Sequence, residues 1–465
     1  MPQPAREDHA MPPELPGELI DKGALIREID FSQLQMRVPT ERYHSREYAQ
    51  REREALWMRV WQVAGREDDI PRPGDWMEYR LFDQSWVLVR GNDGKVRGFV
   101  NACRHRGNAF CEGKGHAARF TCPYHNWSYG LDGQLLAVAK PDFDGTVEQF
   151  VGDKAELGLI QVPAECFAGF IFINPDPAAA PLAEFLGEIA GLLAPYRLEE
   201  MVPVGLNRRE PLECNWKVVM DAFEEGYHIQ AVHPELIPAM DESKERYAFF
   251  GDHSVATGPF GAANLEDFGP EQQAESIRGL PATFPSVTEV LPRFEELLES
   301  YRAADGALAF PAGISGRDLL QQATRDTLSA RGLDVAGLTQ IQMSDNHFHL
   351  VFPNLFMTIR AGEATVIVST PHESGDPGRC YWHVKGLMWL PEEQRAAARE
   401  PLIEVNEGEH EPYFLALEQD YIQMQRQQIG LRNRGLGFMA LTRQEVRLAF
   451  YHAVLDSWVE AKGKQ

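Results

Sequence analysis

The strongest constraint in this chain is a pair of short segments, Cys103-Arg104-His105 and Cys122-Pro123-Tyr124-His125, with sixteen residues (106–121) between them. Each offers one thiol and one imidazole. Buried free cysteines are often no more than small apolar side chains. Two cysteines that are each followed within three residues by a histidine form a donor set suited to a metal centre. The flanking text is β-rich: WMEYRLF, SWVLVRG, VRGFVNAC, FTCPYHNWSYG and GFIFIN, punctuated by turn residues such as Asn92-Asp93-Gly94. That pattern predicts a small antiparallel sheet carrying the two loops.

Structural zinc usually takes its ligands in the order Cys-x2–4-Cys then His-x3–5-His. Here the order is Cys-His then Cys-His. The alternation suits a two-iron cluster in which each loop gives its cysteine to one iron and its histidine to the other, the Rieske type of [2Fe–2S] centre. Zinc is the remaining alternative. The wider text, CRHRGNAF and CPYHNWSYGLDGQL, resembles the Rieske domain of ring-hydroxylating oxygenases, with Gly107, Pro123, Trp127, Gly130 and Gly133 at that family's turn and packing positions. The resemblance makes Cys103, His105, Cys122 and His125 the cluster ligands. Cys111 and His116, in the same segment, are read as structural.

A second constellation lies in NWKVVMDAFEEGYHIQAVHPE, residues 215–235. His228 and His233 are five apart, which puts them about 140° apart on an ideal helix. The pair meets on one metal only if the helix ends or distorts, and Pro234 is consistent with a break there. Taken alone, two satisfied helix histidines would be the better reading. Beside the Rieske-like loops, NWK…E-x-x-H-x4-H resembles the mononuclear iron site of the same family, in which two histidines and one carboxylate bind Fe(II) and leave positions open for O₂. His228 and His233 match the two histidines. Glu225 matches a position that is most often Asp in the family and bridges to the Rieske centre of a neighbouring subunit. Asp221 and Glu224 are the nearby alternatives. LALEQDYIQMQRQQIGLRNRG resembles the segment that supplies the third ligand, so Asp420 is assigned to the iron and Glu418 is the fallback.

Composition bounds the rest. The 465 residues carry 45 Lys and Arg against 69 Asp and Glu, a net charge of 45 − 69 = −24. That argues against nucleic-acid backbones and anionic lipid as partners and favours a locally basic protein partner. Six cysteines in this length are no disulfide scaffold and fit a reducing compartment. No signal-peptide pattern or apolar run of about 18 residues is seen, so a soluble cytoplasmic protein is expected. No glycine-rich dinucleotide fingerprint follows a strand, so electrons must come from a separate NAD(P)H-dependent reductase or a ferredoxin.

The expected fold is α+β. It has an N-terminal arm over 1–44 and an antiparallel Rieske domain with a leading helix over 45–175. A linker follows at 174–181, then a helix-grip-like catalytic domain over 182–465. Helices are expected at 45–63, 214–231, 287–304, 317–331, 393–429 and 443–461. Phe223, Phe249, Phe250, Phe260, Phe284, His347 and His349 could line a substrate pocket, with core roles favoured for each. The resemblance implies a terminal oxygenase that hydroxylates an apolar, aromatic small molecule with O₂, by ring dioxygenation or monohydroxylation. It also implies a head-to-tail homotrimer, with or without a beta subunit. An oxidative N- or O-demethylase of the same family, a Rieske electron carrier with a non-catalytic binding domain, and a zinc-dependent interaction protein are the competing readings.

Overall fold

The computed structural model describes residues 15–138, 153–237, 239–261, 268–282 and 284–460. These fall into two compact units. One holds residues 51–185 and 371–376; the other holds 15–50, 186–370 and 377–460. The architecture is α+β. Of the expected N-terminal arm, residues 1–14 lie outside the described residues, as do residues 139–152 of the expected Rieske domain. Residues 20–44 form the edge strand Ile20–Asp21, the helix Lys22–Glu28 and the strand Arg37–Pro39. They belong to the second unit, because Leu25, Val38 and Tyr43 bury apolar surface there. The leading helix is also shorter than expected. Arg46–Glu52 gives way to a π-helical turn, Arg53–Trp57, and the chain then enters the strand Gln62–Arg66.

The first unit is built from short antiparallel strands. A five-stranded sheet runs in the order Gln161–Val162, Val96–Val100, Gln84–Arg90, Asp75–Leu81, Lys114–His116. A three-stranded sheet, Leu135–Ala137, Ser128–Tyr129, Phe120–Thr121, carries the second Cys-His loop at its hairpin tip. Val87, Val89, Phe99, Phe120, Tyr129 and Leu131 form one core cluster that also takes in the thiols of Cys103 and Cys122.

The second unit is organised by a nine-stranded sheet. Ile20–Asp21 forms one edge, followed by Arg246–Phe250, His253–Gly258, Asn346–Val351, Leu355–Arg360, Glu363–Pro371, Cys380–Trp389 and Met201–Leu212. Ile403–Glu404 closes the other edge, parallel to its neighbour. The register sorts side chains onto two faces, because alternate strand residues point opposite ways. Ser254, Leu350 and Phe356 are cross-strand partners and share one face. That face meets the site segment, since Phe356 lies 5.4 Å from Phe223 and Ser254 bonds to Glu224. His347 and His349 alternate with Phe348 and Leu350, so they take the opposite face, beside Tyr196.

Three helices, Pro270–Gly279, Leu291–Glu299 and Gly316–Ala330, share their own apolar core of Phe260, Ile277, Phe294, Leu298 and Leu320. Phe284 packs against that core, and Phe249 packs on Phe450 of the last helix, Val446–Val459. The expected single helix over 393–429 is two, Glu392–Ala398 and Leu415–Leu431. Pro401, Gly408 and Pro412 interrupt it, as residues that cannot continue a helix or weaken it must.

Candidate active site

The two Cys-His loops have the same backbone plan. The Cys103 N–H donates to the Asn108 carbonyl at 2.9 Å, and the Cys103 carbonyl accepts from Gly107 N–H at 2.8 Å. The Cys122 N–H donates to the Trp127 carbonyl at 2.8 Å, and the Cys122 carbonyl accepts from Asn126 N–H at 2.9 Å. The fourth residue after each cysteine must therefore turn left-handed. Gly107 (φ 74°) and Asn126 (φ 55°) do so, and these are residue types that tolerate that conformation. Each turn places its cysteine inward and its histidine outward. Cys103 and Cys122 are buried, while His105 is exposed and His125 half-buried.

The two imidazoles face each other edge to face, 4.5 Å between centroids, and His105 stacks on Trp127. Tyr129 Oη lies 3.2 Å from Cys103 Sγ and accepts the Arg104 N–H at 3.0 Å. Burial first, and then the hydrogen bond to Cys103, push the Tyr129 hydroxyl above its ordinary range, so it stays a donor to a thiolate. Two inner thiols and two outer imidazoles on matched turns are a donor set that would fit a two-iron cluster.

In the second unit the helix Trp216–Phe223, capped by Asn215, stops before the histidines. His228 and His233 then flank a single helical turn, Ile229–Val232, with His233 at φ −123°, ψ 56°. This is the distortion that the five-residue spacing requires. The donor atoms of His228, His233 and Asp420 all lie within 4.8 Å of one another. His233 Nε2 is 2.9 Å and His228 Nε2 3.7 Å from Asp420 Oδ1. The other ring nitrogens are engaged: His228 Nδ1 is 2.7 Å from Glu225 Oε1, and His233 Nδ1 is 2.7 Å from Gln419 Oε1. Both Nδ1 atoms face acceptors, which favours the Nδ1–H tautomer, and both Nε2 atoms turn toward Asp420, so a metal that displaced the Nε2 proton would meet two imidazole nitrogens and a carboxylate at one point. Burial alone would lower both histidines. Hydrogen bonds to Glu225 (for His228) and to Asp420 and Gln419 (for His233), with the nearby carboxylate charges, raise them instead.

The acids sort themselves out. Glu225 does not share a helical face with His228, since no helix spans them. It folds back, accepting the His228 N–H at 3.0 Å as well as facing its ring. Glu224 is turned to Ser254 and Arg447. Asp221 is not brought to the metal-ready group. It lies on the preceding helix, where Tyr43 Oη donates to it at 2.6 Å and His452 Nε2 stands 3.2 Å away. Glu418 is also elsewhere. Its carboxylate meets His410 at 3.1 Å and accepts the Tyr413 N–H, while Asp420, two residues on, points the other way into the site. Gln419, Tyr43 and His452 were not singled out from the sequence. Gln419 sat beside Asp420, but nothing in its spacing marked it as a partner of His233.

Comparison with known proteins identifies both regions of the chain. Residues 198–461 match the ring hydroxylating alpha subunit (catalytic domain) family, and residues 60–150 match the Rieske [2Fe-2S] domain. The chain belongs to the ring-hydroxylating alpha-subunit family, whose fold and domain order imply a Rieske cluster and a mononuclear iron. Among curated relatives, it is 30% identical over 250 residues to the glycine betaine monooxygenase oxygenase subunit of Chromohalobacter salexigens, covering 52% of this chain and 54% of that protein. It is 35% identical over 205 residues to the large oxygenase component of the 2,4-dinitrotoluene dioxygenase system of Burkholderia sp., covering 42% and 44%. The matched part thus spans about half the length of these relatives. A quaternary ammonium Rieske monooxygenase solved with L-carnitine shares the fold, at a TM-score of 0.60 and 19% identity over 92% of this chain and 96% of that one.

Proposed function

We propose that this chain is the terminal oxygenase of a Rieske non-heme iron system, with Cys103, His105, Cys122 and His125 holding the [2Fe–2S] cluster and His228, His233 and Asp420 holding the iron. The convergence of two imidazole Nε2 atoms and one carboxylate within 4.8 Å of one another, in a chain that also carries the paired Cys-His turns, is the observation that supports it. When bound, the cluster supplies single electrons and the iron a centre for activating O₂. The net reaction is R–H + O₂ + 2e⁻ + 2H⁺ → R–OH + H₂O. The chain's own groups position it. Glu225 and Gln419 hold the two imidazoles in the Nδ1–H tautomer.

The electrons enter from a separate reductase or ferredoxin at the exposed edge of His105 and pass between subunits of a head-to-tail trimer. Glu225 then stands between His228 of one copy and His125 of the next. The substrate class to test first is a small N-methylated quaternary ammonium compound. Relatives named for such cations, glycine betaine and carnitine, support it. An aromatic substrate is the second reading, supported by the dinitrotoluene dioxygenase relative.

The loaded protein is expected to hold about three irons and two acid-labile sulfides per chain. Asp420→Ala should remove one iron and all oxygen insertion while leaving the visible Rieske spectrum intact. Zinc without sulfide would refute the cluster, and turnover by Asp420→Ala would refute the ligand. With a surrogate reductase, demethylated amine plus formaldehyde would identify the first substrate class, and oxygen added to a ring would identify the second.

A further inference from the structure

Residues 224–228 follow no helical ladder, so their placement depends on a few contacts from below. A Cβ at Gly226 would come within 3.1 Å of both Glu242 Cβ and Glu245 Oε1, so the loop backbone rests directly on those two residues. Gln230, in the turn between the two ligand histidines, donates to the Glu242 carboxylate. The floor under the ligand loop is therefore the turn Glu242–Lys244 and the residue after it.

That floor is tied down from the far end of the sequence. Ile20–Asp21 adds an edge strand beside Arg246–Phe250, pairing Ile20 with Tyr247 and Asp21 with Arg246. Lys22, the next residue, donates its backbone N–H to the Glu245 carbonyl at 2.8 Å. Its Nζ donates to the Glu242 carbonyl at 3.0 Å and meets Glu245 Oε2 at 3.3 Å, with Tyr247 Oη donating to the same oxygen at 2.7 Å. Lys22 is only 2% exposed. A lysine is buried this deeply only when paired. Residue 22 lies outside both matched family regions, 60–150 and 198–461.

We propose that Lys22 is a positioning residue for the iron site: its ammonium clamps the Glu242 carbonyl and the Glu245 carboxylate, and so sets the loop that aims His228 at the metal. The proposal rests on the assignment of His228, His233 and Asp420 to iron. Groups that hydrogen-bond directly to metal ligands change metal affinity about 10–100-fold when removed, and Lys22, which acts through the residues beneath the loop, is expected at the lower end of that range.

The test uses the full chain with its Rieske cluster loaded and the mononuclear site depleted, then titrated with Fe(II). Lys22→Met should weaken Fe(II) binding about tenfold and broaden the electron paramagnetic signal of the nitric oxide adduct, with the Rieske spectrum unchanged. The double variant Lys22→Met/Glu245→Gln buries no lone charge and keeps an acceptor for Tyr247, so it guards against simple misfolding. It should regain thermal stability yet still bind Fe(II) about tenfold more weakly, because the tie to the Glu242 carbonyl stays broken. Wild-type iron affinity in the double variant overturns the proposal, leaving Lys22 a stabilising residue only. His228→Ala serves as the control for the underlying site. Loss of iron there, with normal binding in both Lys22 variants, rejects Lys22 alone. Iron retained in His228→Ala rejects the site.

Discussion

At the scale of single residues, the carboxylates divide by what each accepts. Among the described residues, Asp420 is the acid whose oxygen faces two imidazole Nε2 atoms, while Glu225 and Gln419 take the Nδ1 sides. Gln419→Ala should cost roughly 10–100-fold in Fe(II) affinity at the mononuclear site, read by titration, because His233 loses the partner that fixes its tautomer. Glu225→Ala has a different signature. Both metals should bind, yet single-turnover reoxidation of the reduced cluster by the iron site should slow by orders of magnitude. Normal reoxidation would exclude Glu225 as the bridge. Asp221, with Tyr43 and His452, is a buried polar cluster of another kind. It ties the N-terminal segment and the last helix to the helix that precedes the ligands.

At the scale of elements, the strand Asn346–Val351 carries a pH liability. His347 and His349 lie on its face away from the site, and burial lowers them to about 4 and about 3. His347 Nε2 has no hydrogen-bond partner among the described residues. Both rings are therefore neutral in the fold, while in the unfolded chain they protonate near 6.5. Their contribution is fully present above about pH 6.5 and is lost as pH falls toward 4 and then 3. For His347 alone the loss is about 3 kcal/mol by pH 4, taking 1.36 kcal/mol per unit. Denaturant melts at pH 7 and pH 5 should show His347→Phe flattening this acid limb. An unchanged slope would mean that the ring is solvated. The helix Leu415–Leu431 is anchored in the opposite sense. His410, between Glu210 and Glu418, is raised because those hydrogen bonds outweigh burial, and so it holds the start of the helix most firmly below neutral pH.

At the scale of the whole molecule, the proposed electron path predicts assembly. Sedimentation should give about three times the monomer mass. Mixing a cluster-deficient variant (Cys103→Ser) with Asp420→Ala should restore some turnover, because each copy lends its neighbour what it lacks; no recovery would place the transfer within one chain. Among the described residues, no helix is long and apolar enough to cross a membrane. The sequence by itself determined the two signatures proposed to bind metal, their order and the α+β class. Ligand chemistry is local: Cys-x-His, Cys-x2-His and the H-x4-H pair carry their meaning in spacing, and strand alternation shows in short windows. What only the tertiary structure decided is which acid serves which histidine and what holds the site in place. Glu224, Glu225, Asp221, Glu418 and Asp420 look alike along a chain. They are told apart by which way a terminating helix and a long helix far along the chain, whose Asp420 is 187 residues from His233, turn them. Lys22 and Tyr43 gave no signal in sequence, because their partners are far along the chain and a buried lysine or tyrosine looks like any other until the sheet edge and the last helix close over it.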